Sequence, residues 1–162
     1  MGFGQAVSSC FSNYATFSGR APRSEYWFFY LFYVIASVVL TVLDVMIFGI
    51  DNPYSPLSSI FSLAVLLPYL AVTARRFHDI GRSGWWILWF ILIMFGGVIL
   101  GLLLMFASEI LGGLVMAAAV LGVMIVQIVW LASKGTMGDN AYGADPLAAP
   151  ADPMEAPAAP EA

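Results

Sequence analysis

The stretch Arg75-Arg76-Phe77-His78-Asp79-Ile80-Gly81-Arg82-Ser83-Gly84-Trp85-Trp86 decides how this chain is read. Three of the protein's six basic residues fall within it, long apolar runs flank it, and two tryptophans open the second run. Arginines beside membrane spans mark the cytoplasmic side of a bilayer, and tryptophans mark its interfaces. The pattern predicts a tight cytoplasmic loop between two transmembrane helices.

Composition agrees. Of 162 residues, 61% are hydrophobic and 10% charged, whereas a soluble domain is about 45–50% apolar and about 25% charged. The formal net charge of -4 misleads, because four of the acids lie in the last eighteen residues, outside any core. The membrane-flanking part is locally basic, and no acidic partner is implied by it. Nucleic acid binding is not expected, since the basic residues all flank apolar runs. The single cysteine, Cys10, permits no internal disulfide. The start of the chain lacks a basic n-region, so no cleavable signal is expected.

Working outward from the arginine stretch, the second span is read at about 57–74. Pro68 lies inside it, about 10 Å short of Arg75 by helical rise. There it should kink the helix and free the carbonyl of Ala64. The breaker pairs Asn52-Pro53 and Ser55-Pro56 make 49–56 a turn. The first span runs over about 26–48, with Ser24 as its expected N-cap and Glu25 near the positive helix end. Asp44 is the one acid in that span. Seventeen residues beyond Trp27 it sits about 26 Å along the axis, near the far interface rather than at mid-bilayer. There a structural or interfacial role is expected rather than a proton or ion site.

Before the first span, Phe3, Val7, Cys10, Phe11, Tyr14 and Phe17 recur at spacings of three and four, an amphipathic helix too short and too polar to span. It is expected to lie in the interface or cover the bundle's end. After the arginines, 85–132 is almost unbroken apolar sequence, too long for one crossing. It must turn at Ser108-Glu109, giving spans of about 85–107 and 110–131. Gly97/Gly101, Gly113/Ala117 and Ala118/Gly122 are small-xxx-small pairs that let two such helices approach closely. Residues 135–146 form a turn-rich cytoplasmic motif, and 147–162 is an acidic Ala/Pro tail expected to be disordered. The fold class is therefore all-α: a polytopic membrane protein with four transmembrane helices (26–134) and an N-terminal interfacial amphipathic segment (1–25).

Four spans put both termini on one side. Arg20, Arg23, Arg75, Arg76, Arg82 and Lys134 all fall there, so that side is read as cytoplasmic. Trp27, Trp85, Trp86, Trp89 and Trp130 lie near the same boundary and serve as interfacial anchors.

Three separated motifs carry a resemblance. The first is Phe17-Ser18-Gly19-Arg20-Ala21 with Arg23-Ser24-Glu25-Tyr26-Trp27. The second is Pro68, Arg75-Arg76, His78-Asp79, Gly81 and Ser83-Gly84-Trp85-Trp86. The third is Lys134-Gly135-Thr136, Gly138, Asn140, Tyr142-Gly143 and Asp145-Pro146. Together, over about residues 5–147, they resemble the domain-of-unknown-function family 805 (DUF805) of small bacterial inner-membrane proteins. Phe77 stands where Leu is commoner in the family. The resemblance implies a four-helix protein of the bacterial inner (plasma) membrane. It implies no activity.

The charged motif residues form a cytoplasmic collar: Arg20, Arg23, Glu25, Arg75, Arg76, His78, Asp79 and Arg82. The reading favoured is a structural or interaction subunit. Its arginines meet anionic lipid head groups at about 1 kcal/mol each, while Glu25 and Asp79 pair with arginines of the other motif. A homo-oligomer or a membrane-protein partner fits this role. The alternative is a small-solute transporter or channel subunit, for which the polar residues inside the spans are few: Ser37, Thr41, Ser62, Thr73 and Gln127. Third comes an enzyme on lipid head groups with His78-Asp79 as general base, though no nucleophile motif accompanies the pair. No cofactor is expected, nor a metal, since zinc usually takes three or four protein ligands and the chain has one histidine and one cysteine.

Overall fold

A computed structural model describes residues 1–50 and 54–148. Five helices follow one another: α1 (Phe3–Ser12), α2 (Arg23–Phe48), α3 (Pro56–Asp79), α4 (Trp86–Met105) and α5 (Glu109–Ala132). α2 to α5 are each long and apolar enough to cross a membrane. No strand is present among the described residues. The expected breakers Asn52-Pro53 and the tail from 149 onward lie outside them.

The spans alternate in direction. The start of α2, the end of α3, the start of α4 and the end of α5 meet at one end of the bundle, which carries every basic residue. α4 packs chiefly on α5, and α2 on α3, with α1 laid across both of the latter.

The arginine stretch is less of a loop than its sequence suggests. α3 continues through Arg75, Arg76, His78 and Asp79, so the second span's helix is longer than 57–74. Gly81 ends it. With φ at 72° it takes the left-handed conformation that glycine adopts without strain. The Gly81 amide then donates to the His78 carbonyl (3.0 Å) and the Arg82 amide to that of Phe77 (2.8 Å), the two bonds of a Schellman cap. The entry to α2 also differs from expectation. The cap is Pro22, with no side-chain hydrogen bond, and Ser24 is already helical. Pro22 keeps the residue before it out of the helix, so the helix starts directly after the ring.

At the opposite end Asp44 is buried and accepts from the Leu57 amide (2.9 Å), the Ser58 amide (2.9 Å) and the Ser58 hydroxyl (2.6 Å). A carboxylate from α2 thereby caps the first turn of α3, where unsatisfied amides and the helix dipole favour negative charge. Asp44 joins the two helices across their turn.

Pro68 frees the Ala64 carbonyl, and the structure shows what takes it: the Tyr14 hydroxyl, just beyond α1. Phe11 adds edge-on ring contacts to Phe29 (5.7 Å) and Phe32 (5.9 Å), so the amphipathic segment packs on α2 and α3. In the second hairpin Gly97 faces Ala119 and Gly101 faces Met116 and the Gly112 carbonyl. The close approach on α5 is made by Gly112. Gly113 and Gly122 face open space, which corrects their assignment to the contact.

Candidate functional site

The last turn of α3 is where the three sequence motifs converge. Four residues on one helical stretch reach three different parts of the chain.

Arg75 donates from Nη1 to Glu25 Oε1 (2.9 Å), tying α3 to the first turn of α2. Its Nε and Nη2 are buried without a protein acceptor. Glu25 also accepts from the Ser9 hydroxyl (3.0 Å) and lies 3.7 Å from the Cys10 sulfur, so α1 closes over this pair. Burial and the adjacent Glu25 carboxylate push the Cys10 thiol up to about 12, which leaves it an unreactive, protonated packing group.

Arg76 is fully buried. It donates from Nε to the Leu131 carbonyl (3.0 Å) and from Nη2 to the Ser133 carbonyl. These carbonyls end α5, where a cation satisfies orphan acceptors and complements the dipole. Its Nη1 pairs with Asp79.

Asp79 takes a second arginine, Arg20, at 3.0 Å. Arg20 comes from the segment between α1 and α2. It reaches onward into the C-terminal motif, donating to the carbonyls of Thr136 (2.5 Å), Gly138 (2.6 Å) and Gly143 (3.4 Å). That motif in turn covers the end of α3. The Thr136 amide donates to the Asp79 carbonyl (2.8 Å) and the Asn140 side chain to that of His78 (3.0 Å). Gly135 lies directly against the Asp79 carboxylate, where a Cβ would come within 2.8 Å of Asp79 Cγ.

His78 does not touch the Asp79 carboxylate. It donates from Nδ1 to the Gly19 carbonyl (3.1 Å), and its ring stacks on Tyr142 at 4.0 Å. Asp145 accepts from the Leu147 and Gly138 amides (2.9 Å each), bonds that hold its carboxyl below the usual range.

The remaining predicted residues are placed differently from one another. Arg82 lies over the Trp130 ring, 3.7 Å from its centroid, a cation–π contact. Trp86 meets Trp130 edge-on at 5.0 Å, so these two tryptophans pack the bundle's end, while Trp85 and Trp89 are exposed. Trp27 is half-buried against Tyr26 and Tyr30. Arg23 is half-buried and makes no ion pair among the described residues. Sequence reasoning left Ser9, Cys10, Thr136, Asn140 and Tyr142 outside the collar. Their signal was present in the polar, turn-rich motif after the last span and in the small polar face of α1.

The ordered network spans all three motifs, and the whole chain compares accordingly. Residues 14–144 match the family described as "Protein of unknown function (DUF805)". The chain belongs to the DUF805 family. It is 36% identical over 138 residues to "Inner membrane protein YhaI" of Escherichia coli (strain K12), covering 85% of this chain and 92% of that one. To "Inner membrane protein YhaH" of the same strain it is 34% identical over 135 residues, covering 83% and 89%. "Uncharacterized protein YiiR" is 30% identical over 131 residues, covering 80% and 85%. No solved structure matches. In this DUF805 chain, then, the family's region encloses the four spans and the charged cluster and ends at the C-terminal motif.

Proposed function

We propose that this DUF805 chain is a non-catalytic structural or interaction subunit of the bacterial inner membrane, with both termini and the arginine cluster on the cytoplasmic side. The observation that carries the reading is the use made of the motif's charges. Arg20, Glu25, Arg75, Arg76 and Asp79 are buried and bonded to one another or to main-chain carbonyls, so they fasten helix ends together and present no reactive group. His78 has its Nδ1 on a carbonyl and its ring face on Tyr142, an arrangement of support and not of a carboxylate-oriented base. The names of YhaI and YhaH support the inner membrane, and the one-sided basic residues support the orientation.

Two experiments test this. A periplasm-active reporter fused after Asp51 or Glu109 is expected to be active, and after Asp79 or Lys134 inactive. Activity after Asp79 would overturn the threading. Purification from gently solubilised membranes is expected to yield a stoichiometric membrane-protein partner or a homo-oligomer. A co-purifying small solute that the protein carries across proteoliposomes would replace this reading with transport.

A further inference from the structure

Most of the cations at the basic end have a partner inside the protein. Arg20, Arg75 and Arg76 are ion-paired and Arg82 lies on Trp130. Arg23 and Lys134 make no ion pair or hydrogen bond among the described residues. Both line the same cavity, about 610 Å³ in volume, between the start of α2 and the C-terminal motif.

Two cations without an internal partner in one cavity are able to take an anion. Of the cavity's two carboxylates, Asp79 is paired with Arg20 and Arg76, while Asp145 keeps its charge with its oxygens turned to the Gly138 and Leu147 amides, so the two free cations exceed the unpaired acids by one. Ser24 adds a hydroxyl to the wall. The first turn of α2 opens there without a side-chain cap, and its partial positive charge, offset in part by Glu25 in the same turn, is a minor addition to that of the two cations. Beside this polar floor, Met137 and Leu147 stand 95% and 76% exposed. Two free cations next to unburied apolar side chains match a headgroup–acyl boundary.

We propose that this cavity binds the phosphate group of an anionic phospholipid, with Arg23 and Lys134 as its charged donors and Met137 and Leu147 resting in the lipid beside it. The proposal rests on the reading of the arginine end as a non-catalytic surface at the cytoplasmic edge of the membrane and gives that surface a defined ligand. It differs from diffuse attraction of basic residues to a charged membrane, which neither saturates nor depends on one cavity.

The test uses the full chain in neutral detergent, with thermal unfolding followed by tryptophan fluorescence. Phosphatidylglycerol, phosphatidylcholine and inorganic phosphate are titrated in separate arms. Phosphatidylglycerol is expected to raise the midpoint saturably, and the other two are not. Arg23→Gln and Lys134→Gln are each expected to weaken the apparent affinity about tenfold, the scale of one lost charge-assisted hydrogen bond. Arg82→Gln is expected to leave the affinity unchanged. Lys134 is exposed, so its variant reads binding even if Arg23→Gln does not fold. An unsaturable effect, or full affinity in Lys134→Gln, overturns the site. Equal stabilisation by inorganic phosphate overturns the lipid as its source. Reporter topology does not enter this measurement, so lipid binding with an inverted topology would sink the proposed function alone, and a correct topology without binding would sink the site alone.

Discussion

Glu25 and Arg75 are fifty positions apart and meet at 2.9 Å in a buried setting. Removing one partner of a buried pair strands the other charge, at about 3–5 kcal/mol. Glu25→Arg is therefore expected to lower folded yield sharply. Adding Arg75→Glu should restore part of it, whereas adding Arg82→Glu should not, because Arg82 lies on Trp130. Detergent-solubilised monodisperse yield is the readout, and equal yields for all variants would rule the pair out as a fastener. Gly135 offers a steric test of the same cluster. Its added Cβ would press on the Asp79 carboxylate, so Gly135→Ala should destabilise by about 1–3 kcal/mol, seen as a lower thermal midpoint.

Among the elements, the α4–α5 hairpin depends on particular glycines. Gly101→Ala would place a Cβ 2.8 Å from the Gly112 carbonyl, whereas at Gly113 nothing lies within 4 Å. Gly101→Ala is expected to lower the thermal midpoint clearly and Gly113→Ala to leave it in place, and comparable midpoints would show that the hairpin does not need the close approach. α1 gives a pH test. The Cys10 thiol, pushed up to about 12 from an ordinary value of 9.0, stays protonated in the folded state while the unfolded chain ionises. Unfolding then releases a proton, and stability falls as pH rises from about 9 towards 12. Cys10→Ser or Cys10→Ala should flatten that part of the stability profile, and an unchanged profile would assign the slope to other groups.

For the molecule as a whole, the C-terminal motif is a clasp rather than a tail. Thr136 and Asn140 cover the end of α3, and Arg20 is held by carbonyls of Thr136, Gly138 and Gly143. A chain ending at Pro146 is expected to accumulate in the membrane as the full chain does. A chain ending at Ser133 leaves Arg20 without three acceptors and the α3 end uncovered, so its accumulation should drop several-fold by quantitative immunoblot of membranes. Equal accumulation of both would make the clasp dispensable.

Four spans, their alternating direction and the gathering of Arg20, Glu25, Arg75, Arg76 and Asp79 at one end were legible from the sequence alone. The reason is the bilayer, which demands about 20 apolar residues per helix and keeps charges at its edges. The pairing of both acids with arginines of the other motif followed from the same constraint. Which arginine took which acid did not follow. Neither did the capping of α3 by Asp44, the hold of Arg76 on the end of α5, nor the choice of Gly112 over Gly113. Those contacts depend on how each helix is rotated about its axis. In a span such as Trp86–Met105, apolar on every side, no stripe marks the face that meets a neighbour. Lipid is as good a solvent for those side chains as another helix. Only packing, with carbonyls and guanidiniums brought within 3 Å of one another, settles the rotation.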